Sequence, residues 1–400
     1  MPKKILVHDY AGHAFPVDLS RELARRGHEV CHAYAGNLNT PRGDLQIRHG
    51  DPCGLSFKEI AMDYRYPKWK YSFLRRRGLE VSYGHACASW IQQFKPDIVI
   101  SGNTPTDSQI SIQHATQQTG AKFVSWIQDF YGIAIDKLLR KKIGLISSPI
   151  GFYYRWLDGK ILRSSDHIIV ITEDFIPLVQ AEGVPVEKIT SIPNWAIINE
   201  IAVRPKNNDW ALQHKLNDKF VFLYTGTLGM KHNPALLSNL ARLYRNKTDV
   251  RIVVVSEGQG AKWLNAVKQT EGLTNLLVLP YQPFTDLPNL LASGDVLIAI
   301  LESEAGVFSV PSKVLSYLCA KRPILLSVPK ENLSSRMVQV ANAGLAVEPG
   351  DLKGFNSAAS AFYHDSSLRD ENGRNGRRFA ETNFDISTIT EKFLIALGIT

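Results

Sequence analysis

Short apolar runs alternate with amphipathic stretches along the chain. Lys4–His8 holds Ile5, Leu6 and Val7 together, and Phe15–Arg26 then places Val17, Leu19, Leu23 and Ala24 on or near one helical face. Gly27 is positioned to end that helix, and Glu29–Tyr34 is the next apolar run. The pattern predicts further strands at Asp97–Ser101, Lys122–Ile127, His167–Thr172 and Lys188–Ile192, with helices between most of them. Asn199–Lys219 is polar and irregular and reads as a domain boundary. The pattern then restarts, with strands expected at Phe220–Thr225, Arg251–Ser256, Asn275–Leu279, Asp295–Leu301 and Pro323–Val328. This alternation predicts an α/β protein of two doubly wound parallel sheets in tandem, each covered on both faces. The expected domains are 1–200 and 201–380, with 381–400 supplying a helix (Ile386–Leu397) that packs back on the first. Ligands of such sheets bind beyond the C-terminal strand ends, so a cleft between the domains is the expected active site.

Composition supports two cores: 400 residues at 44% apolar content divide naturally into domains of ~200 residues. No apolar run is long enough for a transmembrane helix. The opening MPKKILVHDYAGH has only Ile5–Val7 as an apolar run, which does not fit a signal peptide. Cys31, Cys53, Cys87 and Cys319 show no metal spacing or disulfide framework and fit a reducing cytoplasm.

The net charge of +8 is unevenly placed: residues 1–163 hold 23 Lys/Arg against 14 Asp/Glu, and the remainder is close to neutral. A basic first half points to an acidic partner surface. Tyr64–Arg77 (YRYPKWKYSFLRRR) interleaves aromatics with cations and has no acid. Lys137–Arg163 opens with KLLRKK, continues through an apolar, aromatic stretch interrupted by Pro149, and ends with Lys160 and Arg163. Rings and long cations beside a short apolar patch suit the headgroup zone of an anionic membrane, so 64–77 and 137–163 are candidate membrane-facing segments. A pair of solvated helices with ordinary core faces fits the same residues. Nucleic acid is not an expected partner, because no nucleic-acid motif accompanies the charge.

Candidate chemistry gathers at the predicted strand ends. His8–His13 follows the first strand, and the Gly12 backbone is placed to hold a phosphate or sugar hydroxyl; a plain βα turn is the competing reading. Trp126–Asp129 brings Gln128 and Asp129 to the cleft, although Asp129 also suits a helix N-cap. In the second half, Gly226 and Gly229 permit close backbone approach and Lys231 offers a point charge for phosphate. Ser256–Gly260 is a second glycine turn. Leu301–Val328 is the most informative stretch. Gly306 allows a tight turn, Pro311 suits the first turn of a helix, and Ser312 and Lys313 then stand beside a helix N-terminus that favours an anion. An ordinary strand–turn–helix with a solvated lysine fits that stretch alone. Three such turns at one sheet edge favour a diphosphate.

With these residues in view, the chain resembles the GT-B glycosyltransferases of the large family 4 type. Within it, the chain is similar to bacterial exopolysaccharide and O-antigen glycosyltransferases of the colanic-acid kind. The resemblance covers nearly the whole chain. It is carried most specifically by Val310–Leu318 with Arg322-Pro323 and by Ile192-Pro193-Asn194-Trp195. Thr40-Pro41-Arg42-Gly43, Trp126–Asp129, Thr225–Leu228 and Gly376-Arg377 agree. The resemblance implies a UDP- or GDP-sugar in the second domain, and in the first a saccharide or polyprenyl-diphosphate-linked acceptor of surface polysaccharide synthesis. It implies transfer with retention, without a cofactor or an essential metal, in the cytoplasm or peripherally on the inner membrane face.

Position by position, the resemblance implies that Lys231 binds diphosphate and that Glu304 is the first glutamate of the E-x7-E motif. The donor is expected to meet Gly12, Gly226, Thr227, Lys231, Glu257, Gly258, Gly306, Val310, Ser312, Lys313 and Ser316. The acceptor is expected to meet His13, Gln128 and Asp129, with catalytic roles for Asp129, Glu304 and Lys231. Three departures stand out: the family's second glutamate falls at Ser316, an arginine at Thr227 and a histidine at Gln128. Two extra residues after Pro311 leave Glu302 competing with Glu304. A non-catalytic subunit of a polysaccharide assembly complex is the competing function suggested by those losses. A non-hydrolysing sugar-nucleotide epimerase would share the two-domain architecture.

Overall fold

The first apolar run forms a central strand of a seven-stranded parallel sheet. The computed structural model describes residues 1–38, 40, 42–69, 72–102, 104–130, 132, 148–229, 232–306 and 310–399. In chain order the strands of this sheet are β1 (Lys4–Asp9), β2 (Glu29–Ala35), β3 (Leu55–Ile60), β4 (Ile98–Gly102), β5 (Lys122–Ile127), β6 (His167–Val170) and β7 (Ile189–Ser191). Their spatial order is β3-β2-β1-β4-β5-β6-β7, so the winding reverses between β1 and β4. Every residue of β4 is buried, as a strand covered on both faces requires. On one face, Leu6, Val99 and Phe123 pack with Tyr83, Cys87 and Ile91 of the helix Phe73–Phe94, and with Leu157 and Ile161 of the helix Ser148–Arg163. The helix Ala14–Arg25 lies along β1–β3 and meets the C-terminal helix Ile386–Leu397. Arg26 donates to the Ser387 carbonyl at 2.7 Å, and the rings of Trp126 and Phe393 cross edge-on at 5.0 Å.

A second sheet contains β8 (Phe220–Thr225), β9 (Val250–Val255), β10 (Leu276–Leu279), β11 (Val296–Ile300), β12 (Ile324–Ser327) and β13 (Gly344–Val347), in the order β10-β9-β8-β11-β12-β13. All pairings are parallel, and the winding reverses between β8 and β11. Phe222, Tyr224, Ile252, Val254 and Ile298 pack with Leu236, Leu240, Leu264, Phe355 and Phe362 from three helices. The chain divides into two compact units, Met1–Asn194 with Ile386–Thr400, and Trp195–Asp385.

Three local expectations are corrected. Asn199–Lys219 is not wholly irregular: Asp209–Gln213 is helical, capped by the Asn208 side chain accepting from the Ala211 N–H. Within the described part of its segment Pro149 interrupts nothing, because it occupies the first turn of Ser148–Arg163, where a missing N–H costs nothing; 137–147 lie outside the described residues. Edge strands β3 and β13 lie outside the predicted set.

The first sheet buries two neutral imidazoles. Burial pushes His8 down to about 4 against the opposing charge of Asp9, while its ring nitrogens meet Ser101 Oγ at 2.9 Å and the Tyr83 hydroxyl at 2.8 Å. His32 is likewise lowered by burial to about 4, with Nδ1 at 2.8 Å from Ser20 Oγ. The folded state refuses protons that the unfolded chain accepts, so stability falls as pH drops from about 6.5 to about 4, by about 3 kcal/mol per histidine. Burial raises the Asp158 carboxyl to about 6, which acts in the opposite direction and offsets part of the loss. Urea unfolding at neutral and mildly acid pH should show a net acid loss that shrinks in His32→Asn. An unchanged acid dependence in that variant would exclude His32 as its source.

Candidate active site

In the second unit, chemistry collects where β8 and β11 diverge, the position at which doubly wound sheets open a crevice. Tyr317 fixes this corner. Its hydroxyl accepts from the Thr225 N–H at 2.9 Å and donates to the Ile298 carbonyl at 3.2 Å, tying both diverging strands to the helix Lys313–Cys319. Lys313 lies one turn earlier on the same helix face. Its Nζ stands 3.5 Å from the centroid of the Tyr224 ring. A Cβ on Gly226 would come within 3.6 Å of that Nζ. Gly226 has φ +93°, so the turn after β8 brings bare backbone up to the ammonium.

The turns after β8 and β9 are locked together. The Gly226 N–H donates to the Val255 carbonyl at 3.0 Å, and the Gly260 N–H to the Leu228 carbonyl at 2.9 Å. A Cβ on Gly260 would meet the Leu228 carbonyl oxygen at 2.6 Å, so the close approach requires glycine. The helix Gln259–Glu271 begins there, with Gly258 at its N-cap and Glu257 half-buried just before it. Thr227 is exposed and its Oγ1 lies 2.6 Å from the Tyr281 hydroxyl. This corner therefore gathers an ammonium, an electron-rich ring and a helix N-terminus, a combination suited to an anion, with the ammonium nitrogen itself buried.

The remaining donor candidates are differently placed. Glu304 is exposed on a single helical turn, Ser303–Gly306, so Gly306 ends a helical turn where a free tight turn was expected. Pro311 precedes its helix by two residues, with Ser312 exposed at the N-cap and Lys313 as the first helical residue. Val310 and Ser316 are half-buried. Glu302 is half-buried at the end of β11, with Oε1 buried and without a hydrogen-bond partner among the described residues. Lys231 lies outside the described residues.

In the first unit the turn after β1 is anionic. Asp9 is buried, and its carboxylate accepts from the His13 backbone N–H and stands 3.3 Å from His13 Nδ1. Burial alone would raise the Asp9 carboxyl, but the His13 charge and hydrogen bonds, together with His32, hold it down at about 2. Burial works to lower His13, yet the Asp9 charge and hydrogen bond and the Asp129 charge raise it above its ordinary value. Asp9 and Asp129 thus both favour the protonated form of the His13 ring.

The Gly12 amides are already committed. The Gly12 N–H donates to the Asp9 carbonyl at 3.1 Å, and the Gly12 carbonyl accepts from the Gly43 N–H at 2.9 Å. Beside these bonds the turn offers the His13 side chain at the start of the helix Ala14–Arg25. Gln128 accepts from the Asn194 side-chain amide, and both residues are buried at the end of β5 and of the first unit. A small cavity follows, in which Gln109, Gln128, Asp129 and Asp158 stand among Trp126, Phe130, Ile161 and Leu162. Asp9, Asn194, Asp158 and the Tyr224 ring were not among the sequence candidates. Asp9 carried a signal as the acid at the end of the first strand, and Asn194 as part of Ile192-Pro193-Asn194-Trp195.

Residues 13–195 match the family described as "Glycosyl transferase 4-like domain", and residues 219–365 match "Glycosyl transferases group 1". No curated protein sequence matches the chain. Among solved structures, HepE of Anabaena in complex with UDP-glucose aligns at TM-score 0.69 and 15% identity, covering 99% of both chains. The sucrose-phosphate synthase of Thermosynechococcus elongatus aligns at TM-score 0.74 and 13% identity, covering 99% of this chain and 98% of that one. WaaG, a glycosyltransferase involved in lipopolysaccharide biosynthesis, aligns at TM-score 0.68 and 16% identity over 99% of each. The chain belongs to the GT-B glycosyltransferases, with a glycosyl transferase 4-like domain followed by a group 1 glycosyl transferase domain.

Proposed function

We propose that the protein is a retaining glycosyltransferase. It moves a sugar from a UDP- or GDP-sugar to a saccharide or polyprenyl-diphosphate-linked acceptor in bacterial surface polysaccharide synthesis, working peripherally at the inner face of the plasma membrane. The observation that carries the reading is the β8–β11 corner, where Lys313, Gly226 and the Gly258 helix start converge. Crystallised complexes of the structurally similar HepE with UDP and with UDP-glucose support a nucleotide-sugar donor.

As the bond between the anomeric carbon and the diphosphate breaks, negative charge grows on the leaving group. Lys313, helix-start N–H groups and, by resemblance, Lys231 stabilise that charge. The acceptor oxygen bonds to the anomeric carbon on the leaving-group side, and its proton passes to a diphosphate oxygen. No strong protein base and no metal is required in this scheme. His13, Gln128 and Asp129 hold the acceptor, and Glu302 or Glu304 meets donor hydroxyls.

Thermal unfolding against UDP-, GDP-, ADP- and dTDP-sugars tests the donor assignment. A ligand bound only to the native state raises apparent stability by about 3 kcal/mol at a hundredfold excess over Kd. A selective shift with one nucleotide class is expected, and it should persist with chelator present. No shift with any nucleotide in folded protein would reject the assignment.

A further inference from the structure

Gly376-Arg377 and Arg322-Pro323 stand out in the sequence, and the chemistry of the β8–β11 corner uses neither. Both arginines spend their donors on backbone carbonyls. Arg377 Nη1 donates to the Cys319 carbonyl at 3.0 Å and to the Ile201 carbonyl at 2.9 Å. Its Nε is held 2.7 Å from Glu381 Oε1. Arg322 donates through Nε to the Gly294 carbonyl at 2.9 Å and through Nη2 to the Ala292 carbonyl at 2.9 Å. Cys319 ends the helix that Lys313 begins, and carbonyls in a last turn have no partner within their own helix. Ile201 is buried in the opening segment of the second unit. One guanidinium therefore joins the far end of the Lys313 helix to the incoming chain.

The approach depends on two glycines. Gly373 and Gly376 are buried and lie on one face of the helix Ser366–Asn383, which packs on the Lys313 helix. A Cβ on Gly373 would stand 2.7 Å from the Lys321 carbonyl oxygen, and one on Gly376 would stand 3.5 Å from Leu318 Cδ2. A side chain at Gly373 would push the long helix off the short one and carry Arg377 away from Cys319. Tyr317 ties the seven-residue Lys313 helix to both diverging strands, and Arg377 ties its end to Ile201. The first contact is a fulcrum; the second fixes the angle. Lys313 lies about 6 Å along the axis from Tyr317, so a lean of about 10° would carry it about 1 Å. Misplacement on that scale is enough to lower a rate about a hundredfold.

We propose that Arg377 is a positioning residue for sugar transfer. It fixes the angle of the Lys313 helix and so places the ammonium where charge develops on the leaving diphosphate. The role rests on the donor reading of the β8–β11 corner.

Titration calorimetry with UDP and uridine, and with GDP and guanosine, tests the proposal in the native protein, Arg377→Gln, Lys313→Ala and the double variant. Arg377→Gln should weaken the nucleoside diphosphate that the native protein binds by about fivefold or more, and its parent nucleoside by less than about twofold. In the Lys313→Ala background the same change should have less than about a twofold effect, because the group it positions is gone. Arg377→Lys keeps the charge without the planar fork and should fall between the native and glutamine proteins. Thermal unfolding verifies each fold, and Arg377→Lys carries the measurements if the glutamine variant does not fold. Equal weakening of diphosphate and nucleoside, an equal loss in both backgrounds, or native affinity in folded Arg377→Gln overturns the proposal. Failure of the native protein to bind either diphosphate overturns the donor reading and the proposal with it, a result distinct from those three.

Discussion

Lys313→Ala is expected to lower kcat/KM for sugar transfer by about a hundredfold or more, with the fold retained. The reason is positional. The Lys313 ammonium sits over the Tyr224 ring at 3.5 Å and beside the bare backbone of Gly226, at the corner where β8 and β11 part. Tyr317 holds the helix in place through both strands, so removing the lysine leaves its scaffold intact. The ring contact contributes about 1–2 kcal/mol at a partly desolvated site, a modest loss for the domain. The effect on a departing diphosphate is larger, because a preorganised cation acts where charge develops. Affinity for the matching nucleoside diphosphate should fall, while affinity for the parent nucleoside stays the same. A purely structural lysine would weaken both equally. Native turnover in a folded Lys313→Ala protein would remove Lys313 from the reaction.

The central strands were legible because burial on both faces favours runs of Ile, Val and Leu; β4 and β11 are buried along their whole length and open with IVI and VLI. The edge strands escape the same logic. β3 is LSFKEI, with Ser56 and Glu59 exposed, and β13 is the half-buried GLAV, each bonded to one neighbour only. Neither shows the apolar run that identifies a covered strand. The glycine turns of the site were visible for a comparable reason: they follow strands, and their chemistry is local. The partnerships were not visible. Tyr224 under Lys313 and Asn194 against Gln128 arise from which strands become neighbours. The two segments rich in rings and cations fall between these cases: the sequence shows their composition, and the fold brings Arg77 of one against Tyr153 of the other.

Asp9→Asn carries the second large effect, and it tests the first unit. Asparagine preserves size and retains an acceptor for the His13 N–H, so the substitution removes mainly charge. In the native protein the Asp9 carboxyl is held at about 2, below its ordinary 3.8. A lowered carboxyl stabilises the fold above its unfolded pKa, and that contribution disappears as pH falls through about 2; here it amounts to about 2 kcal/mol. His13 has the opposite sign: its raised pKa stabilises below the ordinary 6.5, and the benefit is lost as pH rises through the folded value. The two shifts share one interaction, so deleting the carboxylate removes it once and leaves His13 with Asp129 as its remaining carboxylate neighbour. Urea unfolding near pH 6 should therefore show a loss of about 2–4 kcal/mol. In an NMR titration the His13 ring should lose protons at lower pH than in the native protein, with Asp129 as its remaining carboxylate neighbour. Unchanged stability together with an unchanged His13 titration would show that the pair does not hold the imidazolium. If His13 meets the acceptor as a cation, the same variant should raise KM for the acceptor near neutral pH and leave the nucleotide-dependent stability shift intact. That outcome would separate the chemistry of this turn from that of the Lys313 corner.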